Sequence, residues 1–358
     1  MVGAGPIGGI VGGRLGRQGN EVTLVDVDPE HVRTIRECGL QIDVPDGNFN
    51  IAVPAVFPDE IEGTFDIAFI AVRSYYTSLV LEYIVPHLAE DAVIVSLQNG
   101  INHPLIEEKV GQDRVIGTGI RMRSGRIAPG HVASPKRGHL YVGHSHGNTT
   151  PRLRMVQTLL DAVIPTEITD NILGVLWSKL TYTCLGFFGS LADASLQIIC
   201  ESARNRRLCL EMFAEVVGVG KAAGVLFIPL AEYDPLTFHP DRPLTARLAA
   251  LNEMAKHWRR DDRNGPVRQI KRGTRTEVDY TVAQVVREGS VLGIPTPICQ
   301  GIVNIIHELE QGKKQLLMEN YEYLEGQPFS IQLPVTRESG DQGIAPQQAY
   351  CNGRDFRS

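Results

Sequence analysis

The sequence predicts an α/β parallel-sheet domain followed by an all-α domain, on three observations. Gly3, Gly5 and Gly8 form GxGxxG, ahead of a helical run with Ile10, Val11 and Leu15 and a β-rich run Glu21–Val25 that ends at Asp26. Strand and helix signals then alternate to about residue 168. From Thr169-Asp170 onward, almost every segment carries helical spacing. The expected domains are 1–168 and 169–326, with a loosely attached or disordered tail over 327–358, where Gly, Gln, Asp and Ser are frequent.

Each part of the opening stretch has a physical job in dinucleotide binding. Gly3 permits a tight strand-to-helix turn, Gly5 lets the backbone approach a pyrophosphate, and Gly8 lets helix and strand pack closely. Pro6 and Ile7 fill the same turn. The helix N-terminus offers N–H groups and the positive end of its dipole to phosphate. Asp26 lies 18 residues after Gly8, at the expected end of the second strand, where a carboxylate can hold ribose hydroxyls. The domain is therefore read as Rossmann-type. A glycine-rich turn that only packs a helix on a sheet is the plainer alternative. Almost nothing precedes Gly3, so either upstream residues are missing or the first, central strand is cut down to Met1 and Val2.

The later elements follow in order. Pro29–Cys38 suits a helix. Phe65–Val72 is a short continuous apolar strand, as a buried parallel sheet requires. Ser74–Pro86 reads as a helix and Asp91–Leu97 as a second buried strand ending at Gln98-Asn99-Gly100. Val115–Arg121 and His139–Gly143 are shorter strands, and Pro151–Val163 is a helix. Strands alternating with helices argue for βαβ units and a parallel sheet. Its ligand cleft is expected at the carboxyl ends of the strands, facing the second domain. Beyond Asp170, Leu173, Leu176, Leu180, Cys184 and Phe187 recur at helical spacing. So do Leu208, Met212, Val216 and Val219, and then Ile298, Ile302, Ile305 and Leu309. Residues 229–266 are polar and proline-broken, and read as helical pieces with a loop.

Composition excludes several classes. At 358 residues, with 43% hydrophobic and 21% charged content, the chain can bury two ordinary cores. A formal net charge of −6 supplies no basic field, so nucleic acid is not an expected partner. Six cysteines are scattered with no CxxC pair and read as reduced thiols. No His/Cys/carboxylate cluster has ligand spacing, so no metal is expected. His131, His139 and His144 read as surface histidines flanking short strands. No uncharged apolar run reaches the roughly 18 residues that span a bilayer. The N-terminus lacks a basic region before the glycine loop, so the cytoplasm is the expected compartment.

Three further stretches can carry chemistry. Ser96-Leu97-Gln98-Asn99-Gly100 puts an amide at the carboxyl end of a buried strand, where it can meet nicotinamide or substrate. Asn-Gly is equally a turn signal. Leu176-Trp177-Ser178-Lys179-Leu180-Thr181-Tyr182-Thr183 places Lys179 beside the apolar stripe of its helix, with Thr183 one turn on. A lysine at the edge of a buried face can serve as a proton donor; a snorkelling surface lysine is the alternative. Arg275-Thr276-Glu277-Val278-Asp279-Tyr280 opens a helix, where an acid such as Glu277 is favoured by the dipole.

Taken together, GAGPIGG, SLQNG, WSKL and RTEVDY, in this order and at these intervals, resemble the ketopantoate reductase (2-dehydropantoate 2-reductase) family over roughly residues 1–325. The resemblance implies that the helical domain is of the 6-phosphogluconate dehydrogenase C-terminal type. It also implies an NAD(P)-dependent oxidoreductase that reduces a 2-oxo acid to a 2-hydroxy acid, on the route to pantothenate. By position, Lys179 matches the general acid, Glu277 the carboxylate that holds a substrate hydroxyl, and Asn99 the cleft amide. Arg73 replaces the usual lysine at a cofactor-binding place. A small-molecule 2-oxo acid is the implied partner, with no membrane, and a homodimer is an assembly open to it.

The departures from the pattern concern substrate. Asparagines four and eight residues after the lysine are Thr183 and Phe187 here, and a serine twelve before the glutamate is Gly265. A more apolar 2-oxo acid or ketone than ketopantoate is the expected substrate. The family mostly uses NADPH, but Asp26, with Asp28 close behind and Arg33 the first nearby cation, disfavours a 2′-phosphate and argues for NADH. Two rivals remain: another hydroxy-acid or opine-type dehydrogenase, and a non-catalytic dinucleotide-binding sensor.

Overall fold

The computed structural model describes residues 1–230 and 233–325. The expected tail over 327–358 lies outside the described residues. The chain divides into two compact units, Met1–Ile172 and Leu173–Ser358.

The first unit opens with α1 (Pro6–Arg17), β1 (Leu24–Val25) and α2 (Pro29–Cys38), then β2 (Leu40–Asp43), β3 (Phe49–Ile51), β4 (Ala55–Val56) and β5 (Phe65–Ile70). Then come α3 (Thr77–Ile84), β6 (Leu88–Ser96), α4 (His103–Val110), β7 (Val115–Arg121), β8 (Gly125–Ala128), β9 (His131–Ala133), β10 (His139–Gly143), α5 (Pro151–Asp161) and β11 (Thr166–Ile168). Local chemistry sets the helix ends. Asp28 caps α2 by accepting from Glu30 and His31, and Thr150 caps α5 by accepting from Leu153.

The main sheet runs β11-β10-β7-β6-β5, and Val2 bridges it to the β1-β4 pair through parallel partners Ile70 and Val25. The first strand is thus the single residue Val2. It still forms a two-sided ladder: Val2 donates to Phe69, Gly3 to Val25, Val25 to Met1 and Ala71 to Val2, all at 2.8 Å. The expectation of a wholly parallel sheet needs correcting at one edge. β10 runs antiparallel to β7, with β11 parallel to β10. The reason is local: β7 returns through the short β8–β9 hairpin and not through a crossover helix. That hairpin and β2–β3 form a second, four-stranded sheet, β3-β2-β9-β8, which the periodicity of the sequence does not reveal.

Both faces of the main sheet are buried, and successive residues divide between them. Phe69, Val93, Val95 and Ile116 pack under Val11 and Leu15 of α1 and Leu153, Val156 and Leu160 of α5. Ala68, Ile70, Ile94 and Val115 pack under Val80, Leu81 and Ile84 of α3 and Ile106 of α4. This explains the continuous apolar runs in β5 and β6. α1 approaches the sheet closely through glycines: a Cβ on Gly12 would sit 2.7 Å from Leu24 Cδ2.

The second unit is helical: α6 (Ile172–Phe188), α7 (Leu196–Ile199), α8 (Ala203–Ala222), α9 (Leu244–Ala255), α10 (Gly265–Lys271), α11 (Val282–Leu292), α12 (Pro297–Glu310) and α13 (Glu322–Glu325). α8 is buried continuously from Leu208 to Gly220 except at Glu211, as befits a central helix, and α11 and α12 pack on it. Its one buried acid, Glu215, accepts from the backbone N–H groups of Ile298 and Cys299 at 2.8 Å each. It therefore caps α12 across the core. The five described cysteines are free thiols, four of them buried.

Two predictions follow from this packing. Burial raises the Glu215 pKa from its ordinary 4.5 to about 7, against the lowering effect of the two N–H bonds and the Cys299 thiol. The unfolded chain then releases this proton first, so stability is fully present below pH 4.5 and falls as pH rises toward 7. The loss is on the order of 3 kcal/mol. Urea titrations across this window should show the slope in wild type and its flattening in Glu215→Gln. A Cβ on Gly8 would overlap the carbonyl oxygen of Gly3, which cannot yield. Gly8→Ala should lose at least about 1 kcal/mol despite the gain in helix propensity of similar size; an unchanged urea midpoint would refute the packing.

Candidate functional site

Residues of the first unit converge at the carboxyl ends of its strands. Gly3 makes the turn with φ +92°, and a Cβ there would lie 2.9 Å from the Ala71 and Val72 backbone. Ala4, fully buried, is held from both sides. Its N–H donates to Asp26 Oδ2 at 2.8 Å, and its carbonyl accepts from His31 Nε2 at 2.9 Å. His31 Nδ1 accepts the Gly130 N–H at 2.8 Å, which places the ring proton on Nε2. Gly5 then caps α1 without a side-chain bond, and the first turn of α1 holds no acid. A Cβ on Gly5 would meet nothing within 4 Å. Pro6 has no N–H to offer, and the Ile7 side chain packs toward the core. The N–H groups of Ile7 and Gly8 are the first-turn donors left for an anion. The loop therefore fits a dinucleotide pyrophosphate: open beside Gly5, closed behind Gly3 and Gly8.

Asp26 is half-buried, and its carboxylate also accepts from Val27 at 2.8 Å and Asp28 at 3.0 Å. The adjacent acid Asp28 pairs with Arg126 at 2.7 Å. Burial works to raise its pKa, but the bond to Arg126 and the two N–H bonds of the α2 cap together hold it below the usual carboxylate range.

Arg73 and Asn99 sit on two exposed turns after β5 and β6, tied together by a buried polar network. Ser74 Oγ donates to the Asn99 carbonyl at 3.0 Å, and Asn102 Nδ2 donates to the same carbonyl at 2.7 Å and to Ser74 Oγ at 3.1 Å. Gln98 Nε2 donates to Thr77 Oγ1 at 2.8 Å and to the Val72 carbonyl at 3.1 Å. Sequence reasoning reached Gln98 and Asn99 but not Ser74, Thr77, Asn102 or His31. The SLQNGIN run held the clue to Asn102. His31 meets residues 4 and 130, so nothing local marks it.

In the second unit, Lys179 is half-buried on α6, a helix otherwise buried on most sides. The residue before it is anchored twice: Ser178 Oγ accepts the Ile228 N–H at 3.0 Å, and the Ser178 carbonyl accepts the Tyr233 hydroxyl at 2.6 Å. Thr183 donates its hydroxyl to the Lys179 carbonyl at 3.0 Å, so its one proton is spent on the helix. Phe187 is 4% exposed, and Gly265 opens α10 with clear space around its Cα. Glu277 is buried and precedes a 3-10 turn, Val278–Tyr280, not the first turn of an α-helix; α11 begins at Val282. Its carbonyl accepts from Thr281 at 2.7 Å. Asp279, two residues on, is paired with Arg275 and His307, each at 2.8 Å.

The histidine expectations need one correction. His144 is fully buried: Nδ1 bonds the Val115 carbonyl at 2.7 Å, Nε2 lies 3.0 Å from the Thr150 hydroxyl, and burial lowers its pKa. It ties β10 to β7 and α5. No group of three His, Cys, Asp or Glu among the described residues could hold a metal, and no described helix is long and apolar enough to cross a membrane.

The family described as "Ketopantoate reductase PanE/ApbA" matches residues 1–147, and the one described as its C-terminal domain matches residues 171–310. A 2-dehydropantoate 2-reductase of Pyrococcus abyssi is 26% identical over 88% of this chain and 99% of its own length. An uncharacterized oxidoreductase of Bacillus subtilis, YkpB, is 24% identical over 84% and 95%. A ketopantoate reductase structure from Ralstonia eutropha superposes with TM-score 0.73 at 25% identity, covering 87% of this chain and 99% of that one. D-mandelate dehydrogenase, determined with NADH and anilino(oxo)acetate, shares the fold at TM-score 0.72 and 20% identity, over 87% and 99%. With both units matched, the chain belongs to the ketopantoate reductase family, and is an NAD(P)-dependent oxidoreductase acting on a CH–OH group.

Proposed function

We propose that the chain reduces a small 2-oxo acid to the 2-hydroxy acid, with Lys179 as general acid, Glu277 anchoring a polar group of the substrate and Asn99 orienting it. The observation that carries this reading is the setting of Lys179. It is an ammonium on the edge of a nearly all-buried helix, and its neighbour Ser178 is fixed by two bonds to another segment. Hydride addition to a ketone builds negative charge on oxygen. A fixed ammonium stabilises that charge and then delivers the proton. The nicotinamide supplies the hydride when bound. Gly3, Gly5, Pro6, Ile7 and Gly8 would hold the pyrophosphate, with Asp26 on the ribose and Arg73 and Asn99 near the cofactor.

We take NADH as the favoured nucleotide. Asp26 is fixed by three N–H bonds, and Arg126, the cation paired with the neighbouring Asp28, is committed there. A 2′-phosphate there would face the Asp26 and Asp28 carboxylates, with Arg126 already paired. The substrate is a 2-oxo acid with an apolar side chain, because Thr183, Phe187 and Gly265 withhold the polar contacts the family gives ketopantoate. The D-mandelate dehydrogenase structure with its aryl 2-oxo acid analogue is compatible with that chemistry, although the likeness carries the fold alone.

Lys179→Ala should lower kcat about 100-fold or more with a 2-oxo acid that the wild type turns over, while NADH binding is retained. Turnover within a fewfold of wild type would remove Lys179 from the acid role. In thermal melts NADH should raise Tm more than NADPH at equal concentration. Gly5→Ala should fold with unchanged Tm, since its Cβ meets no protein atom, yet lose about tenfold or more in nucleotide affinity. Nucleotide binding unaffected by that methyl group would show that the pyrophosphate lies elsewhere.

A further inference from the structure

We propose that Arg247, in the first turn of α9, is the seat of a small oxyanion, and that this anion is the carboxylate of the substrate; the choice of source rests on the function proposed above. Arg247 is 9% exposed, and neither Nε nor Nη1 has a hydrogen-bond partner among the described residues. No carboxylate and no aromatic ring among them answers it. Arg14 and Arg204 also bury guanidinium nitrogens without a hydrogen-bond partner, but each is ion-paired, to Asp46 and to Glu322. Arg114 donates to the Ala92 and Ala89 carbonyls, and Arg36 to the Ala55 carbonyl and Glu60. A guanidinium cannot escape burial by losing its proton. A buried cation left without a partner is among the least tolerable features of a core, so an anion from outside the chain is the natural complement.

The surroundings favour that anion. α9 is a 12-residue helix entered from Pro243, with no side-chain cap and no acid in its first turn. Helical side chains lean toward the N-terminus, so the Arg247 stem runs back over the first turn, where the Leu244 and Thr245 N–H groups have no intrahelical acceptor, while that of Ala246 donates to the Pro243 carbonyl at 2.9 Å. The dipole adds positive potential there. The acids six residues to either side of Arg247 in sequence are committed elsewhere: Asp241 to His239 at 3.4 Å and Glu253 to Lys256. The planar fork of arginine matches a carboxylate with two parallel bonds, which is what a 2-oxo acid presents. The seat also lies on the segment that anchors the proposed acid. α9 packs on the turn Pro235–Phe238, which follows Tyr233, the residue bonded to the Ser178 carbonyl beside Lys179.

A nucleotide phosphate has related chemistry, so the test separates the sources. Wild type, Arg247→Met and Arg247→Lys would be melted against oxamate (a 2-oxo acid analogue), inorganic phosphate, NADH and NADPH, and oxamate would be titrated with and without NADH. Oxamate should raise the wild-type Tm. Arg247→Met should weaken oxamate at least about tenfold, with Arg247→Lys in between. Without ligand, Arg247→Met should melt no lower than wild type, because an unanswered buried charge has been removed. Equal oxamate protection of wild type and Arg247→Met overturns the seat. A ligand-free Arg247→Met that melts well below wild type also overturns it, by showing the guanidinium satisfied within the protein. If phosphate or NADPH protection is lost while oxamate protection is kept, the carboxylate assignment falls. Failure of NADH to protect any variant, with the oxamate difference intact, would sink the reductase reading and leave the seat standing.

Discussion

The first unit depends on how its chain leaves the middle of the sheet. Val2 alone serves as the strand between β1 and β5, and by Pro6 the chain is already helical. Three residues must turn it, and each is constrained differently. Gly3 takes a positive φ against the Ala71–Val72 backbone, Ala4 is gripped through both its N–H and its carbonyl, and Gly5 is left open. The loop is thus rigid before any ligand arrives, so a bound phosphate need not also order it. Asp26 has two duties in this scheme. Its carboxylate holds the loop through Ala4, and the lone pairs left over are those a ribose would meet. Under the proposed function, nucleotide preference and loop geometry share one residue, and a change at Asp26 made to admit a 2′-phosphate also releases its bond to the Ala4 N–H.

The same logic recurs where the turns after β5 and β6 meet. Short loops at strand ends would be mobile if only their tips made contacts. Here Ser74, Thr77, Gln98 and Asn102 are buried and bond to one another and to backbone carbonyls, joining both turns into one body. Such a network holds the backbone at Arg73 and Asn99 at fixed points. α6 uses a similar device in the second unit. Ser178 faces inward and takes two bonds from the segment after α8, while Lys179 is left at the edge.

How much of this was legible in the sequence follows from how local the causes are. The glycine turn, α2, β5, β7 and β10 declared themselves because spacing, caps and apolar runs act within a few residues. The second sheet did not. β2, β3, β8 and β9 are strands of three or four residues, and the two hairpins they form are joined only by a distant pairing, that of β2 with β9, as at Gln41 and His131. The antiparallel placement of β10 was hidden for the same reason, since its own residues read alike in either direction. His144 was misread as a surface residue because its partners are Val115 and the helix-capping Thr150, and nothing near it in sequence marks it as buried. Lys179 and Glu277 stood out only as members of a family pattern; spacing alone gave each an adequate plain explanation.

The departures at Thr183, Phe187 and Gly265 bear jointly on what the second unit can bind. Thr183 keeps a hydroxyl but donates its proton one turn back along α6, so only its acceptor capacity is left for a ligand. Phe187 is packed away and adds no polar atom. Gly265 leaves space where a serine would have put a hydroxyl. Each change withdraws a donor, and none introduces one. A polyhydroxylated 2-oxo acid would arrive with groups that lose their water and gain nothing, a penalty that grows with every unpaired hydroxyl. An acid whose only polar groups are its carboxylate and ketone avoids that penalty. It asks of the protein one cation for the carboxylate and one proton donor for the carbonyl, the two roles we propose for Arg247 and Lys179.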